Sequence, residues 1–279
     1  MKAVRHSDPN AFLRKAEAFL LRAEVENNII LGIARSCASS RAPENGYFAT
    51  VEDRNDVIAC AIRTPPNKAL ISRAGPEALG HLVADLMEAD ENLPAVLGPE
   101  PSVRQFAELW SARCGAPARE GMRQRLFATS HVTPLEWRPP GSMRVATAAD
   151  EPFLVQWAQS FIRDVRLEHV AHPKGMTSER IREGSLYIWS DERPVSMAGW
   201  AGRTARGVRV NFVYTPPEFR GRGYASACVA DLTQRLLEDG AEFCCLVTDL
   251  ANPTSNSIYQ RVGYRPVCDL TDFLLNQRP

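Results

Sequence analysis

The stretch "VNFVYTPPEFRGRGYASACVADLTQRLLEDG", residues 210–240, constrains this chain most. An apolar run, Val210 to Tyr214, reads as a buried strand. It meets two prolines, then Gly221 and Gly223, then a helical pattern that reaches about Glu238. A helix start exposes backbone N–H groups that have no partner inside the helix, and the macrodipole adds partial positive charge there. Glycine lets an anion approach the backbone with no side chain in the way. A strand, a glycine loop and a helix in this order therefore predict a phosphate or pyrophosphate cradle, with Arg220 and Arg222 adding charge. A tight turn with no ligand is the other reading of the glycines taken alone.

No Lys-Ser or Lys-Thr follows the glycines, so the loop is not a Walker loop. Gly221-x-Gly223-x-x-Ser226 approaches the dinucleotide fingerprint, but Thr215 to Arg220 intervenes between strand and glycines. That fingerprint normally follows its strand directly in the first βα unit, so a flavin or nicotinamide site fits less well.

The rest of the chain supplies context. The 279 residues suffice for one large domain or two ordinary ones. The 33 basic and 33 acidic residues balance, which argues against nucleic acid or a membrane surface as partner. The opening stretch, "MKAVRHSDPNAFLRKAEAFLLRAEVENN", mixes charges through its apolar positions and reads as neither a leader nor a membrane span. Seven cysteines, an odd number with no CxxC and several inside apolar runs, read as buried thiols of a cytoplasmic protein. The five histidines show no metal spacing.

"EWRPPGSMR", Glu136 to Arg144, is the clearest linker. It predicts a first domain over 1–137, a linker over 138–143 and a second domain over 144–279. After it come a short strand, an Asp150 helix cap, and a helix whose apolar set is Leu154, Trp157, Phe161 and Val165. "SLYIWSDERPVSMAGWAGRT" reads as a hairpin with Asp191 and Glu192 near its turn. The first half repeats this plan weakly. A helix over Ala11 to Val25 is followed by "NNIILGIAR". "GYFATVEDRNDVIACAIRT" then has the hairpin rhythm, a helix over Pro76 to Glu88 follows, "PAVLG" is a short strand, and "RQRLFATS" resembles a closing strand. Two copies of one α+β unit are expected, although hairpins with polar turns also recur by chance.

Arg220-x-x-Gly223-x-Ala225, after a strand and a Pro-Glu-aromatic step, resembles the acyl-CoA pyrophosphate loop of GCN5-related N-acetyltransferases (GNAT proteins). Downstream, "CCLVTDLANPTSNSIYQRVGYRPV" resembles that family's next strand, helix and closing strand, with Asn252, Asn256, Tyr259, Gly263 and Tyr264 at matching positions. The resemblance covers about residues 143 to 275; in the first half "RAGPEALGHLVADL" occupies the loop's place without the motif.

The resemblance implies an α+β fold with a mixed α/β sheet in two related halves, the first degenerate. It implies acetyl-CoA as co-substrate, no metal, and transfer of an acetyl group to a primary amine by direct attack. The alternative is a catalytically silent CoA-binding sensor or structural protein. The loop Arg220, Gly221, Arg222, Gly223, Tyr224, Ala225 and Ser226 would hold the pyrophosphate. Val213, Tyr214 and Thr215 would lie beside the pantetheine arm, with an N–H near Val213 facing the acetyl oxygen. Asn252 caps the last helix, which Gly263 ends; Asn256 would bond the pantetheine amides, and Tyr259 would protonate the CoA sulfur. Glu168, His169 and His172 fall in the loop where this family contacts its acceptor, and a solvated loop is the simpler reading of each. The acceptor and the general base are not legible, and the chain is expected as a monomer or homodimer.

Overall fold

The computed structural model describes residues 1–39, 45–89, 93–165 and 172–275. One order of elements is written twice along the chain. The first set is β1 (Lys2–Arg5), α1 (Pro9–Leu21), α2 (Asn28–Ser39), β2 (Tyr47–Asp53), β3 (Asp56–Arg63), β4 (Ala69–Ile71), α3 (Pro76–Ala89), β5 (Ala95–Pro99), α4 (Glu100–Cys114) and β6 (Arg119–Thr129). The second set is β7 (Ser142–Val145), α5 (Glu151–Asp164), α6 (Pro173–Arg182), β8 (Leu186–Asp191), β9 (Arg193–Ala201), β10 (Gly207–Tyr214), α7 (Tyr224–Glu238), β11 (Phe243–Asp249), α8 (Pro253–Val262) and β12 (Arg265–Leu274). The fold is mixed α/β. Among the described residues no helix is long and apolar enough to cross a membrane.

The chain divides into two compact units. Unit 1 comprises Met1–Leu126, Asp249–Ala251 and Val267–Pro279; unit 2 comprises Phe127–Thr248 and Asn252–Pro266. In unit 1 the strands run in the order β1-β2-β3-β4-β5-β12-β6. Pairing is antiparallel from β1 to β4, then parallel between β4 and β5. Side chains alternate across the sheet as a period of two requires. Ala49, Val51, Ala59 and Ala61 face α3 and α4, where Leu79, Leu82, Leu86 and Phe106 are fully buried. Phe48, Cys60 and Ile62 face α1 and α2, against Phe12, Leu20 and Leu31. Each such Leu or Phe contributes about 1.5–3 kcal/mol by leaving water.

In unit 2 the order is β7-β8-β9-β10-β11, with β10 and β11 parallel. Tyr187, Trp189, Val208 and Val210 pack under α7 and α8. Leu186, Ile188, Met197 and Phe212 pack under α5 and α6.

The compact units do not divide at the Pro-rich stretch, because that stretch is bound to unit 2. Trp189 Nε1 donates to Pro140 O at 2.9 Å, and Arg138 pairs with Asp231 at 2.6 Å. Gly141, at φ 101°, passes so close to Ser190 O that a Cβ would lie 2.2 Å from it. The final strand does not stay with the second set either. β12 pairs with β5 from Leu270↔Pro99 to Leu274↔Ala95, and Asp272 meets Lys68 and the Met122 N–H.

Two local expectations also change. Asp150 stands at the N-cap of α5, but its side chain makes no cap hydrogen bond to that helix. Its carboxylate accepts from Thr147 N (2.8 Å) and from both Arg144 Nη atoms (2.7 Å each), closing a capping box around a 3-10 turn, Ala148–Asp150, ahead of the helix. Arg220 to Gly223 do not open α7: a 3-10 turn, Pro217–Phe219, precedes them, and Gly223 is the N-cap.

Candidate active site

The site begins with a defect in β10. Its parallel ladder with β11 covers Gly207–Arg209 against Phe243–Cys245. Its antiparallel register with β9 shifts between Asn211 and Tyr214, and inside that bulge Phe212 takes φ 56°. An aromatic residue with left-handed backbone costs roughly 1–3 kcal/mol unless its surroundings hold it. Here the ring is held on two sides, edge-on to Phe161 at 5.1 Å and beneath the Arg180 guanidinium at 4.9 Å. A bulge re-aims the residues that follow it, and Val213, Tyr214 and Thr215 all line a cavity of about 420 Å³.

The glycine loop forms another wall. Gly221 and Gly223 both have φ 75°, and no side chain caps α7, so its first N–H groups remain open. Gly223 also lies under Trp137, where a Cβ would meet Cζ3 at 2.6 Å. Arg220, Gly221, Gly223, Tyr224, Ala225 and Ser226 line the cavity; Arg222 is exposed and does not. Arg220 does not aim its charge outward freely. Nε donates to Thr215 O at 2.9 Å and Nη2 pairs with Asp164 at 2.8 Å, so it braces the loop against α5. Tyr224 likewise donates to Asp191 at 2.5 Å, a bond that holds its phenol proton and raises its pKa.

The third wall is α8. Asn252 Oδ1 accepts from Ser255 N at 3.1 Å as the N-cap, and Gly263 ends the helix at φ 111°. Asn252 and Tyr259 line the cavity, whereas Asn256 does not. Tyr259 packs edge-on to Tyr264 at 6.2 Å, and Tyr264 in turn bonds Thr233 at 2.7 Å. Among the described residues no hydrogen-bond partner engages the Tyr259 hydroxyl, and burial pushes its pKa up to about 12. It is thus a protonated donor facing the cavity at neutral pH.

Sequence reasoning missed several lining residues. Phe161 and Val165 were read only as core positions of α5, and Asp164 gave no signal. Thr254, Ser255 and Ile258 follow the Asn252-Pro253 helix start, which was the available clue. Of the residues in the acceptor loop, Glu168 and His169 lie outside the described residues; His172 is exposed at the start of α6 and does not line the cavity. Among the described residues no group of His, Cys, Asp and Glu is arranged to hold a metal ion.

A strand that leaves its parallel partner at a bulge, followed by a glycine loop and an open helix start, defines a class of fold. Solved structures of the same fold carry its name. A GNAT-family acetyltransferase from Colwellia psychrerythraea is 10% identical, with 99% of this chain and 100% of that one covered at a TM-score of 0.62. A GCN5-related N-acetyltransferase from Sphaerobacter thermophilus is 15% identical, with 99% and 96% covered at 0.62. A tandem GNAT protein from the clavulanic acid biosynthesis pathway is 10% identical, with 100% and 99% covered at 0.58. The chain has the GNAT fold along its whole length. More narrowly, residues 187–271 match the family model of FR47-like protein. No curated protein matches the sequence.

Proposed function

We propose that the protein is an N-acetyltransferase that moves an acetyl group from acetyl-CoA to a primary amine by direct attack. One observation carries this reading: the open start of α7 and the unpartnered Tyr259 hydroxyl face the same cavity, beside the bulged end of β10. The residues present fit the co-substrate. The glycine loop and the N–H groups of Tyr224, Ala225 and Ser226 suit a pyrophosphate. The cavity at Val213 to Thr215 suits an extended pantetheine arm, and Asn252 adds a polar group at the α8 wall.

Bound there, acetyl-CoA supplies the acyl group and a thiol leaving group. The Val213 N–H, turned by the bulge, is the donor proposed for the acyl oxygen; such a donor aimed at developing negative charge is worth roughly 3 kcal/mol. As the C–N bond forms and the C–S bond breaks, Tyr259 gives its proton to the departing sulfur. The proton lost by the amine passes to water. Arg220 acts through the loop it braces.

Calorimetry with acetyl-CoA, coupled to thiol release with a panel of amines, tests this. One site per chain and amine-dependent thiol release are expected. Binding without turnover on any amine leaves a CoA-binding sensor, and no binding ends the reading.

A further inference from the structure

The α5/α6 face of the unit 2 sheet holds a guanidinium of which the reading above uses only the contact with Phe212. Arg180 sits in the last turn of α6 and is half-buried. Its Nη1 donates to Trp200 O at 3.2 Å and to Asn211 Oδ1 at 3.1 Å, while the group lies over the Phe212 ring at 4.9 Å. Among the described residues, Nε and Nη2 have no hydrogen-bond partner, and no carboxylate lies within ion-pair distance of this side chain. Gly199 makes the room for it: a Cβ there would stand 3.3 Å from Nη1 and 3.0 Å from Ser185 O.

A second guanidinium shares this face. Arg209 precedes Asn211 by two on β10, and Val208 and Val210 between and beside them belong to the opposite core. Burial first, and the nearby Arg209 charge second, push the Arg180 pKa down to about 10. A desolvated cation beside a like charge is an expensive arrangement, and Glu183 and Glu179 offset it only in part, without forming an ion pair with it. The contacts to the bulge use the Nη1 edge and the face of the guanidinium. The other edge is a planar fork, and a fork of this kind matches a carboxylate with two parallel hydrogen bonds.

Arg180 does not itself line the cavity of the proposed chemistry; it adjoins it through Asn211 and Phe212. Asn211, Phe212 and Val213 are consecutive, the Phe212 ring contacts Phe161, and Phe161 and Val213 both line the cavity. Asn211 and Val213 are two residues apart, which even in a fully extended chain is at most roughly 7 Å. An amine at the Val213 end and an anion at Arg180 are then separated by only a few bonds.

We propose that Arg180 selects amine acceptors carrying a carboxylate a few bonds from the amine, the simplest being a free amino acid. This rests on the acetyl-transfer reading of the adjoining cavity. The test sets each common amino acid beside its carboxamide, and measures thiol release from acetyl-CoA with the wild type, Arg180→Lys and Arg180→Met. Acetyl-CoA affinity is followed by calorimetry on the same samples. A charge-assisted hydrogen bond corresponds to about 10- to 100-fold in binding. The wild type should therefore prefer at least one amino acid over its amide by that factor in kcat/KM. Arg180→Met also removes the contacts to the bulge, so a loss shared by acid and amide is expected; beyond it, kcat/KM should fall about 10- to 100-fold further for the acid, erasing the preference. Arg180→Lys keeps charge and fold but not the fork, and should lose most of the preference. If acetyl-CoA binds and amides serve as well as acids, or no amino acid is accepted, the inference is overturned. A loss in Arg180→Met that is no larger for the acid than for the amide also overturns it, since it marks a merely structural arginine. Failure of the wild type to bind acetyl-CoA at all brings down the underlying reading instead.

Discussion

The two sets of elements follow one plan but treat the corner between their parallel strands in opposite ways. In the first set β4 and β5 stay together: a Cβ on Gly98 would be 2.6 Å from Ile71 Cγ1 and 3.0 Å from its backbone oxygen. The turn to α3, residues 72–75, is short, and Ser102 on α4 closes it by hydrogen bonds with Ala74 N and O. In the second set the bulge at Phe212 opens β10, and Thr215–Gly223 makes a longer turn with two left-handed glycines. Counting from the helix N-caps Pro99 and Asn252, Tyr259 corresponds to Phe106 and Asn256 to Val103. Phe106 and Val103 are both fully buried in the unit 1 core. The first copy has filled with apolar side chains the space that the second leaves as a cavity. A ligand site on this plan therefore needs a broken ladder, not only a motif.

The largest effect is expected from removing the first set. β12 lies in the unit 1 sheet beside β5, so residues 143–279 alone would keep this strand without its partner. An unpaired apolar edge promotes aggregation. The fragment should be insoluble or fail to give a cooperative melt by circular dichroism; a soluble, fully active fragment would show that the first set is dispensable.

Next comes Tyr259→Phe, which keeps the ring and deletes one proton. General acid catalysis is typically worth about 10²–10⁴-fold, so kcat should fall within that range where chemistry limits turnover. KM for acetyl-CoA and the melting temperature should move little. A near-native kcat would make Tyr259 a packing residue like its counterpart, and solvent would protonate the sulfur.

The converse substitution, Phe106→Tyr, sharpens the comparison. It places a hydroxyl in a packed apolar site with no cavity to receive it. An unsatisfied buried hydroxyl costs roughly 1–3 kcal/mol, so chemical denaturation should show a loss of that size with activity per folded molecule intact. No loss would mean that the first copy keeps a hidden cleft.

These contrasts also show what was legible in the sequence. The hairpins, α1, α3, α5, α7 and the glycine loop are local patterns, and the periodicities 2 and 3.6 report them. α4 went unread although Pro101 near its start and Gly115 at its end, with φ 74°, are ordinary boundary signals. β4 is too short to show any period. The return of β12 to β5 is a pairing between distant residues, and no local pattern encodes it. The same holds for the bulge: nothing in "NFVY" announces that Phe212 is left-handed, because Phe161 and Arg180 hold it there from other elements.

Glycine substitutions compare the two corners directly. Gly223→Ala forces a side chain into left-handed backbone, at about 1–2 kcal/mol, and pushes on Trp137. Acetyl-CoA affinity should weaken about tenfold, since 1.4 kcal/mol is a factor of ten. Gly75, which precedes α3, meets nothing within 4 Å, so Gly75→Ala should leave both affinity and stability unchanged within error. Equal effects at the two glycines would mean that the second loop is only a turn.

The smallest contrast lies at the first strand-to-helix corner of each set. Asp8 accepts from Ala11 N at 2.9 Å as the cap of α1; among the described residues no arginine forms an ion pair with it, and Arg14 acts on it only weakly through space. Asp150 is gripped by Arg144, and that pairing, with the Thr147 bonds, lowers its pKa from 3.8 to about 2. A carboxyl whose folded pKa is depressed stabilises the protein above its unfolded value, and the contribution is lost as pH falls through the folded value. For Asp150 the window runs from about pH 4 down to about pH 2. A shift of this size corresponds to roughly 2 kcal/mol at neutral pH, and Asp150 is nearly buried, so screening removes only part of it. Asp150→Asn should therefore lower unfolding free energy at pH 7 by about 1–2 kcal/mol, and the gap to the wild type should close as both approach pH 2. Denaturant melts across that range check it. A gap that persists unchanged at pH 2 would mean that Asp150 acts through the geometry of the capping box and not through its charge.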